Sequence, residues 1–325
     1  MESKLIGSQI LVPTKKNILK AAESLILGNL VAFPTETVYG LGASATNEKG
    51  VSRIYEVKSR PKNHPLIVHI SSFSKLPMWA KEIPNYALDL ANEFWPGPMT
   101  LILRRTDIAK DFVTGGQDTV GLRIPNNEIA LRLLGEFENA GGFGIAAPSA
   151  NRFGAVSPTS ASHVIAELHD NLNHTDLVID GGNAEIGIES TIIDCTGCGP
   201  KILRPGAITK ESIATMMPHL MKISENINEI RFPGQFKSHY SPKAKVELDV
   251  TPLPGDGMIG LMSITTPDGV LRLACPLDLE EYAQQLYGAF RKADDIGLKR
   301  VVAIAPERKG LGVAICDRLR KAASD

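Results

Sequence analysis

The sequence predicts an α/β chain in two unequal parts: a mixed twisted sheet with packed helices, then a small parallel α/β unit of Rossmann-like design. Three observations lead there. In the longer leading part, short apolar strands outnumber helical segments and do not alternate with them one for one. That favours a mixed sheet over a purely parallel one. Between Pro218 and Lys245 the periodicity fades, and beyond Met258 strand, helix, strand and helix follow in turn. The expected division is therefore 1–217, a linker over 218–244, and 245–325, sizes that suit ordinary domains.

The elements follow in order. Lys15 to Asn29 carries Ile18, Leu19, Ala22, Leu25 and Ile26 at helical spacing, and Gly28 closes it. Leu30 to Phe33 is a short apolar strand stopped by Pro34. Asn47 can cap a helix that runs to Lys58, with Val51, Ile54, Tyr55 and Val57 as its apolar face. Pro65 to Ile70 reads as a strand and Pro84 to Trp95 as a helix. Trp95-Pro96-Gly97-Pro98 is a rigid turn into the strand Met99 to Leu103. A strand over Thr119 to Ile124, a helix over Asn126 to Phe137 and a strand over Ile145 to Ala147 come next. Ser157-Pro158-Thr159 opens a helix with proline just inside its start. Leu177 to Ile179, Ser190 to Asp194 and Lys201 to Leu203 are strands. In the last part, Met258 to Ile264 and Arg300 to Ala305 are strands, and Leu279 to Lys292 and Gly312 to Ala323 are helices.

Composition narrows the function classes. The formal net charge is −1, so no chain-wide attraction to nucleic acid or membrane is expected, and an anion site must be local. No apolar run reaches the roughly 18 residues of a membrane span, and the amino end lacks the charged-then-apolar pattern of a signal peptide. Four cysteines are too few for a disulfide framework in a chain this long, which points to a reducing cytosol. Cys195 and Cys198 form a C-x-x-C, but the flanking Thr-Gly and Gly-Pro read as a hairpin turn, and no second pair is near. A zinc site is not expected.

Three separated stretches supply a phosphate-binding vocabulary: Lys58-Ser59-Arg60-Pro61-Lys62, Ala147-Pro148-Ser149-Ala150-Asn151 and Leu203-Arg204-Pro205-Gly206. The residue before Pro61 is pushed out of helical geometry, so the helix ends near Ser59 or Arg60. Cations at alternate positions of an extended chain project to one side, where they repel unless an anion or water lies among them. A polyphosphate with Mg2+ suits such a cluster, and a solvated loop is the bland alternative. The run from Phe33 to Gly42, which includes Thr35, offers hydroxyls and backbone N–H groups as a cradle for a small ligand. Those hydroxyls could equally satisfy their own turn. His69 ends an apolar strand, as core residue or ligand contact. Thr119 and Arg123 share one face of an extended run. A cation on that face needs a carboxylate, so Arg123 is either a clamp for an amino-acid carboxylate or half of a structural ion pair. Ser149 and Asn151 follow a strand's carboxyl end, where open α/β sheets hold ligands. Ser157 can cap its helix, whose N-terminus could also seat a phosphate. Ser190 and Thr191 add hydroxyls, and Arg204 is held extended before Pro205.

In order along the chain stand P-T-E-T-V-Y-G-L-G, K-x-R-P, P-L-I-V-H-I, W-P-G-P, D-T-V-x-x-R-x-P, A-P-S-A-N-x-x-G, S-P-T, E-S-T-I-I and L-R-P-G. Over Leu30 to Gly206 this series resembles the threonylcarbamoyl-AMP synthase (YrdC-like) family. H-Y-S-P at His239 to Pro242, followed by a small α/β unit, resembles its longer two-domain branch. The resemblance implies synthesis of L-threonylcarbamoyl-AMP from L-threonine, bicarbonate and ATP, with Mg2+ accompanying the nucleotide and pyrophosphate released. It implies a cytoplasmic nucleotidyltransferase that feeds threonylcarbamoyladenosine modification of tRNA. Its implied partners are downstream threonylcarbamoyl transferase proteins, with a tRNA contact open and no membrane.

Matched residue by residue, Lys58, Arg60, Ser149 and Asn151 fall on the family's K-x-R and S-x-N nucleotide motif. Thr119, Ser157 and Arg204 fall on other ATP contacts. Thr35, His69, Arg123, Ala147 and Ser190 fall on the threonine pocket, and Tyr240 on a residue that closes over the nucleotide. No dedicated catalytic group is implied, only positioning and charge from Lys58 and Arg60; Lys62 and His64 receive no role. The rival readings are an RNA-binding module with a basic concave surface, carbamoyl transfer in hydrogenase maturation, and a hydrolase. The neutral charge, the lack of cysteine-rich zinc segments and the lack of a nucleophile elbow weigh against them in turn.

Overall fold

In the computed structural model, residues 10–218, 230–235 and 240–324 are described. His239 of the H-Y-S-P stretch and much of the expected linker lie outside the described residues. The leading part runs β1 (Ile10–Leu11), α1 (Lys15–Ile26), β2 (Val31–Phe33), β3 (Gly40–Ser44), α2 (Glu48–Lys58), β4 (Ile67–His69), α3 (Leu76–Trp79), α4 (Asn85–Phe94), β5 (Met99–Arg104), α5 (Asp111–Thr114), β6 (Thr119–Arg123), α6 (Glu128–Asn139), β7 (Ile145–Ala146), α7 (Ala161–Leu168), β8 (Leu177–Ile179), β9 (Thr191–Asp194), β10 (Lys201–Arg204) and α8 (Lys210–Met216). Its ten strands form one sheet in the order β1-β8-β2-β3-β7-β4-β6-β5-β9-β10. Parallel pairs such as β4–β6 mix with antiparallel ones such as β5–β6, the mixed sheet that the sequence predicts.

Helix starts are set by side-chain caps. Thr14, Asn47 and Asn127 each accept a backbone N–H of the first turn of α1, α2 and α6. One face of the sheet is covered by α1 and α6, through Ile18, Ala22 and Leu25 against Leu133, Leu134 and Phe137. The other face buries Val51, Ile54, Leu90 and Ala91 from α2 and α4 against Leu41, Val68 and Leu122.

The second part contains β11 (Lys245–Leu248), β12 (Gly257–Ile259), β13 (Leu271–Ala274), α9 (Leu279–Asp295), β14 (Arg300–Ala303) and α10 (Leu311–Ala322). Its strands are all parallel, in the order β11-β14-β12-β13. Tyr282, Leu286 and Phe290 of α9 and Ile315 and Leu319 of α10 form its core. Val38, Val156 and Ile188 of the leading part join that same cluster, so the two parts are packed through shared apolar contact.

Three local expectations are corrected. No helix opens at Ser157: α7 begins at Ala161, and Ser160 caps it by accepting the N–H of His163. The carbonyls of Pro158 and Thr159 accept from Tyr39 and Ala184 instead, which holds that segment extended. The cations at 58, 60 and 62 do not lie on one extended run. Lys58 is the last residue of α2 and Ser59 is left-handed at φ 51°; Lys58 and Arg60 turn inward while Lys62 is exposed. The strand expected to reach Ile264 stops at Ile259.

Candidate active site

The strand ends converge on a narrow cavity. In the parallel pair β4–β6, His69 lies opposite Arg123, which puts imidazole and guanidinium side by side. Antiparallel β7 brings Ala146 opposite Val68, and a single bridge joins Gly40 to Ser149. Thr35, Arg60, His69, Arg123, Ala147, Ser149, Ser190, Arg204 and Tyr240 all line a cavity of about 50 Å³. A wider groove of about 990 Å³ runs past Lys81, Arg104 and Arg105. It is open, Arg105 in it is already paired with Asp111 at 2.7 Å, and none of the sequence-matched site residues lines it, so its size does not mark the chemistry.

The cavity is rich in buried cations. Arg60 is 7% exposed. Its Nη2 donates to the Pro65 carbonyl at 3.0 Å, its plane lies 5.8 Å from the Phe153 ring, and its Nε has no hydrogen-bond partner. Burial pulls its pKa down to about 10, and nearby Arg204 adds to the fall. Arg204 donates from Nε to the Ser190 carbonyl at 3.0 Å, from Nη2 to the Ser190 hydroxyl at 3.1 Å, and from Nη1 to the Pro233 carbonyl at 3.0 Å. Gly206 allows this: a Cβ there would sit 2.4 Å from the Thr191 nitrogen, so only glycine lets the L-R-P-G turn press against the strand entry. Buried cations with lowered pKa values and a donor left over describe a site that stabilises an anion.

Arg123 takes the second of its sequence alternatives, the structural ion pair. Its Nη2 lies 2.8 Å from Glu36 Oε1 with both side chains buried, so a structural ion pair exists. Yet neither Glu36 oxygen nor that Nη2 makes an aligned hydrogen bond, and Arg123 also lines the cavity. His69 is pushed down to about pKa 3, by burial first and then by Arg123, so its ring is neutral at physiological pH. Thr35 ties its own turn together by donating to the Val38 carbonyl at 2.6 Å.

Four matched residues do not line the cavity. Lys58 is fully enclosed, and its Nζ donates to the carbonyls of Ser149, at 2.5 Å, and Asn151. It braces the Ser149-to-Asn151 turn from behind. Burial lowers its pKa strongly, with Arg60 adding to the effect. Asn151 donates to the carbonyls of Arg152 and Ala155, and its Oδ1 is buried without a partner. Ser157 donates to Glu189 at 2.6 Å. Thr119 lines an adjoining cleft with Gln117 and Arg231, which shares Ile67 and Pro233 with the main cavity.

Sequence reasoning missed Glu36, Glu189, Tyr287 and Arg318. Glu189 lines the cavity and receives hydrogen bonds from Ser157, Tyr287 and Arg318. Burial alone would raise its pKa; Arg318 and Arg204 outweigh that and hold it down at about 2. Its place beside Ser190 in E-S-T was a usable signal. Arg318 lies in an ordinary amphipathic helix, where nothing in the pattern distinguishes it. Among the described residues no group of three or more His, Cys, Asp or Glu is placed to hold a metal ion. None of their helices is long and apolar enough to cross a membrane.

Comparison with known proteins gives a consistent result. Residues 23–206 match the Sua5/YciO/YrdC family model, described as telomere recombination. Residues 208–324 match the model described as threonylcarbamoyl-AMP synthase, C-terminal domain. A threonylcarbamoyl-AMP synthase of Pyrococcus abyssi is 41% identical over 91% of this chain and 90% of its own length. One from Bacillus subtilis is 38% identical over 94% and 92%. The crystal structure of Pyrococcus abyssi Sua5 complexed with L-threonine superposes with a TM-score of 0.85 at 40% identity, covering 95% of each chain.

Proposed function

Since the chain belongs to the threonylcarbamoyl-AMP synthase family in its two-domain form, we propose that its narrow cavity binds ATP beside L-threonine and bicarbonate. Its activity is the synthesis of L-threonylcarbamoyl-AMP, a transferase reaction in the service of tRNA modification. The observation that carries the site assignment is the convergence of Arg60, Arg123 and Arg204 on one cavity while all three stay nearly buried.

Arg60 and Arg204 face the nucleotide's phosphates, with the Ser149-to-Asn151 turn as a polar wall. Arg123 takes the carboxylate of threonine, sharing its charge with Glu36. Neutral His69 and the Thr35 turn border the amino acid, and an uncharged imidazole leaves the threonine amine free to be neutral. That amine attacks bicarbonate and water leaves, which gives a carbamate. A carbamate oxygen then attacks the α-phosphorus and pyrophosphate departs. The protein's share is orientation and neutralisation of charge on the departing oxygens. The residues around the cavity suit a polyphosphate, and among the described residues no carboxylate cluster offers a dedicated metal site; Mg2+ would arrive on the phosphates and supply further charge neutralisation. Cations this buried cannot reach the backbone of an RNA, which weighs against the RNA-binding reading. The product would pass to threonylcarbamoyl transferase proteins, and the reaction is placed in the cytoplasm.

Mixing the protein with ATP, threonine and bicarbonate should yield the acyl adenylate by mass spectrometry. Pyrophosphate release should require both co-substrates, and equal turnover with either omitted refutes the reading. Arg60→Ala should lower the rate by about a hundredfold or more while the protein stays folded; a wild-type rate would remove the nucleotide site from this cavity.

A further inference from the structure

Arg318 and Tyr287 belong to the helices of the second part, yet both side chains end at the wall of the cavity in the first. Arg318, on α10, is completely buried. Its Nε donates to Glu189 Oε2 at 2.8 Å and its Nη1 to Asp317 at 2.7 Å. Its guanidinium also lies 5.3 Å over the ring of Tyr240. Tyr287, on α9, donates its hydroxyl to the Glu189 carboxylate, at 3.0 Å from Oε2. Its ring stacks on Tyr240 at 5.6 Å between centroids. The next residue along the chain from Glu189 is Ser190, which holds Arg204 through both its carbonyl and its hydroxyl. The link therefore runs from α10 by hydrogen bond to Glu189, along the chain to Ser190, and by hydrogen bond to Arg204 at the cavity. A buried carboxylate with three donors from three elements has one orientation open to it.

We infer that Arg318 and Tyr287 are positioning residues for nucleotide binding. Through Glu189 they fix Ser157, Ser190 and Arg204, and between them they clasp the ring of Tyr240 on the cavity rim. The C-terminal unit thus completes the site instead of flanking it. The inference rests on the reading above in taking ATP as the ligand these groups face.

ATP affinity of the full chain, measured by calorimetry, tests it beside pyrophosphate release with KM resolved for ATP and for threonine. Arg318→Met should weaken ATP binding by about tenfold and Tyr287→Phe by about threefold, with threonine KM moving less and the melting temperature of Tyr287→Phe near wild type. Arg318→Lys should recover part of the loss. In a Glu189→Gln background, Arg318→Met should add less than it does alone, because both act through one network. Unchanged ATP affinity in Arg318→Met and Tyr287→Phe, or fully additive effects, overturns the inference; so does a wild-type chain that binds no ATP. If Arg318→Met fails to fold, Tyr287→Phe decides, since it removes one hydroxyl and keeps the ring stack. Variants that weaken ATP binding in a protein without threonine-dependent turnover support the positioning role and sink the proposed reaction. Intact turnover with unaltered ATP affinity does the reverse.

Discussion

His69 links burial to pH. Its pKa falls from 6.5 to about 3 on folding, so the unfolded chain binds a proton there that the folded chain refuses. For a base with a depressed folded pKa, no penalty exists above 6.5, and stability is lost as pH falls from 6.5 toward 3. The loss over that window is up to roughly 5 kcal/mol for one fully buried group. Glu189, held at about 2 against 4.5, adds a loss of the same sign below pH 4.5. His69→Asn should flatten the upper part of this acid limb, between pH 6.5 and 4.5. Urea melts at stepped pH measure it, and an unchanged slope would mean that His69 does not titrate as buried. Lys58→Met presents two opposing effects. It leaves the carbonyls of Ser149 and Asn151 without their donor, about 1–3 kcal/mol each, and it relieves the desolvation of an enclosed cation. Stability should therefore shift by only about 2 kcal/mol, while adenylate formation falls about tenfold or more as the turn loses its brace. Urea melts and pyrophosphate assays separate the two effects. The sequence told of cations at Lys58 and Arg60 because proline chemistry fixes the helix end. It could not tell that Lys58 points behind the wall, since a left-handed Ser59 reverses the expected alternation.

At the scale of elements, local pattern and tertiary demand part company in predictable places. Helices α1, α2 and α6 were legible because cap residues and apolar spacing agree. Strand β3, Gly-Leu-Gly-Ala-Ser, was not legible: glycine disfavours strands, and only pairing with β2 on one side and β7 on the other makes it one. The strands β11 and β13 were missed because they are short and partly polar. The turn that leads to Glu189 carries a further prediction. Gly187 has φ +81°, and a Cβ there would stand 2.5 Å from the Gln284 Cα in α9. Its N–H also donates to the Thr37 carbonyl, so this glycine is wedged between the P-T-E-T turn and α9. Gly187→Ala should destabilise by about 2–4 kcal/mol through backbone strain and overpacking. Thermal melts read the loss, and a melting temperature at the wild-type value would show that the contact yields freely.

For the whole molecule, the decisive number is the cavity volume. At about 50 Å³ it is far below the roughly 300 Å³ at which small-molecule sites begin, so ATP cannot enter unless part of the wall moves. The wall is anchored from two sides. Arg231 is held to the first part through Gln117, and the Pro233 carbonyl accepts from Arg204. Tyr240 stacks on Tyr287 of the second part, and the N–H groups of Lys243 and Ala244 both donate to Asp294 at 3.0 Å. Arg231 and Pro233 are thus held by the first part while Tyr240, Lys243 and Ala244 contact the second, so nucleotide entry either breaks some of these contacts or opens the wall elsewhere. On the proposed reading, ligand bound behind Tyr240 would keep those contacts and add its own, shifting the population toward the closed arrangement by its differential affinity. Limited proteolysis near Gly234 should then slow severalfold when ATP and threonine are both present and return to the free rate when either is withheld. Cutting at one rate under all conditions would show that Tyr240 does not report on occupancy, and that the nucleotide reaches the arginines by another opening.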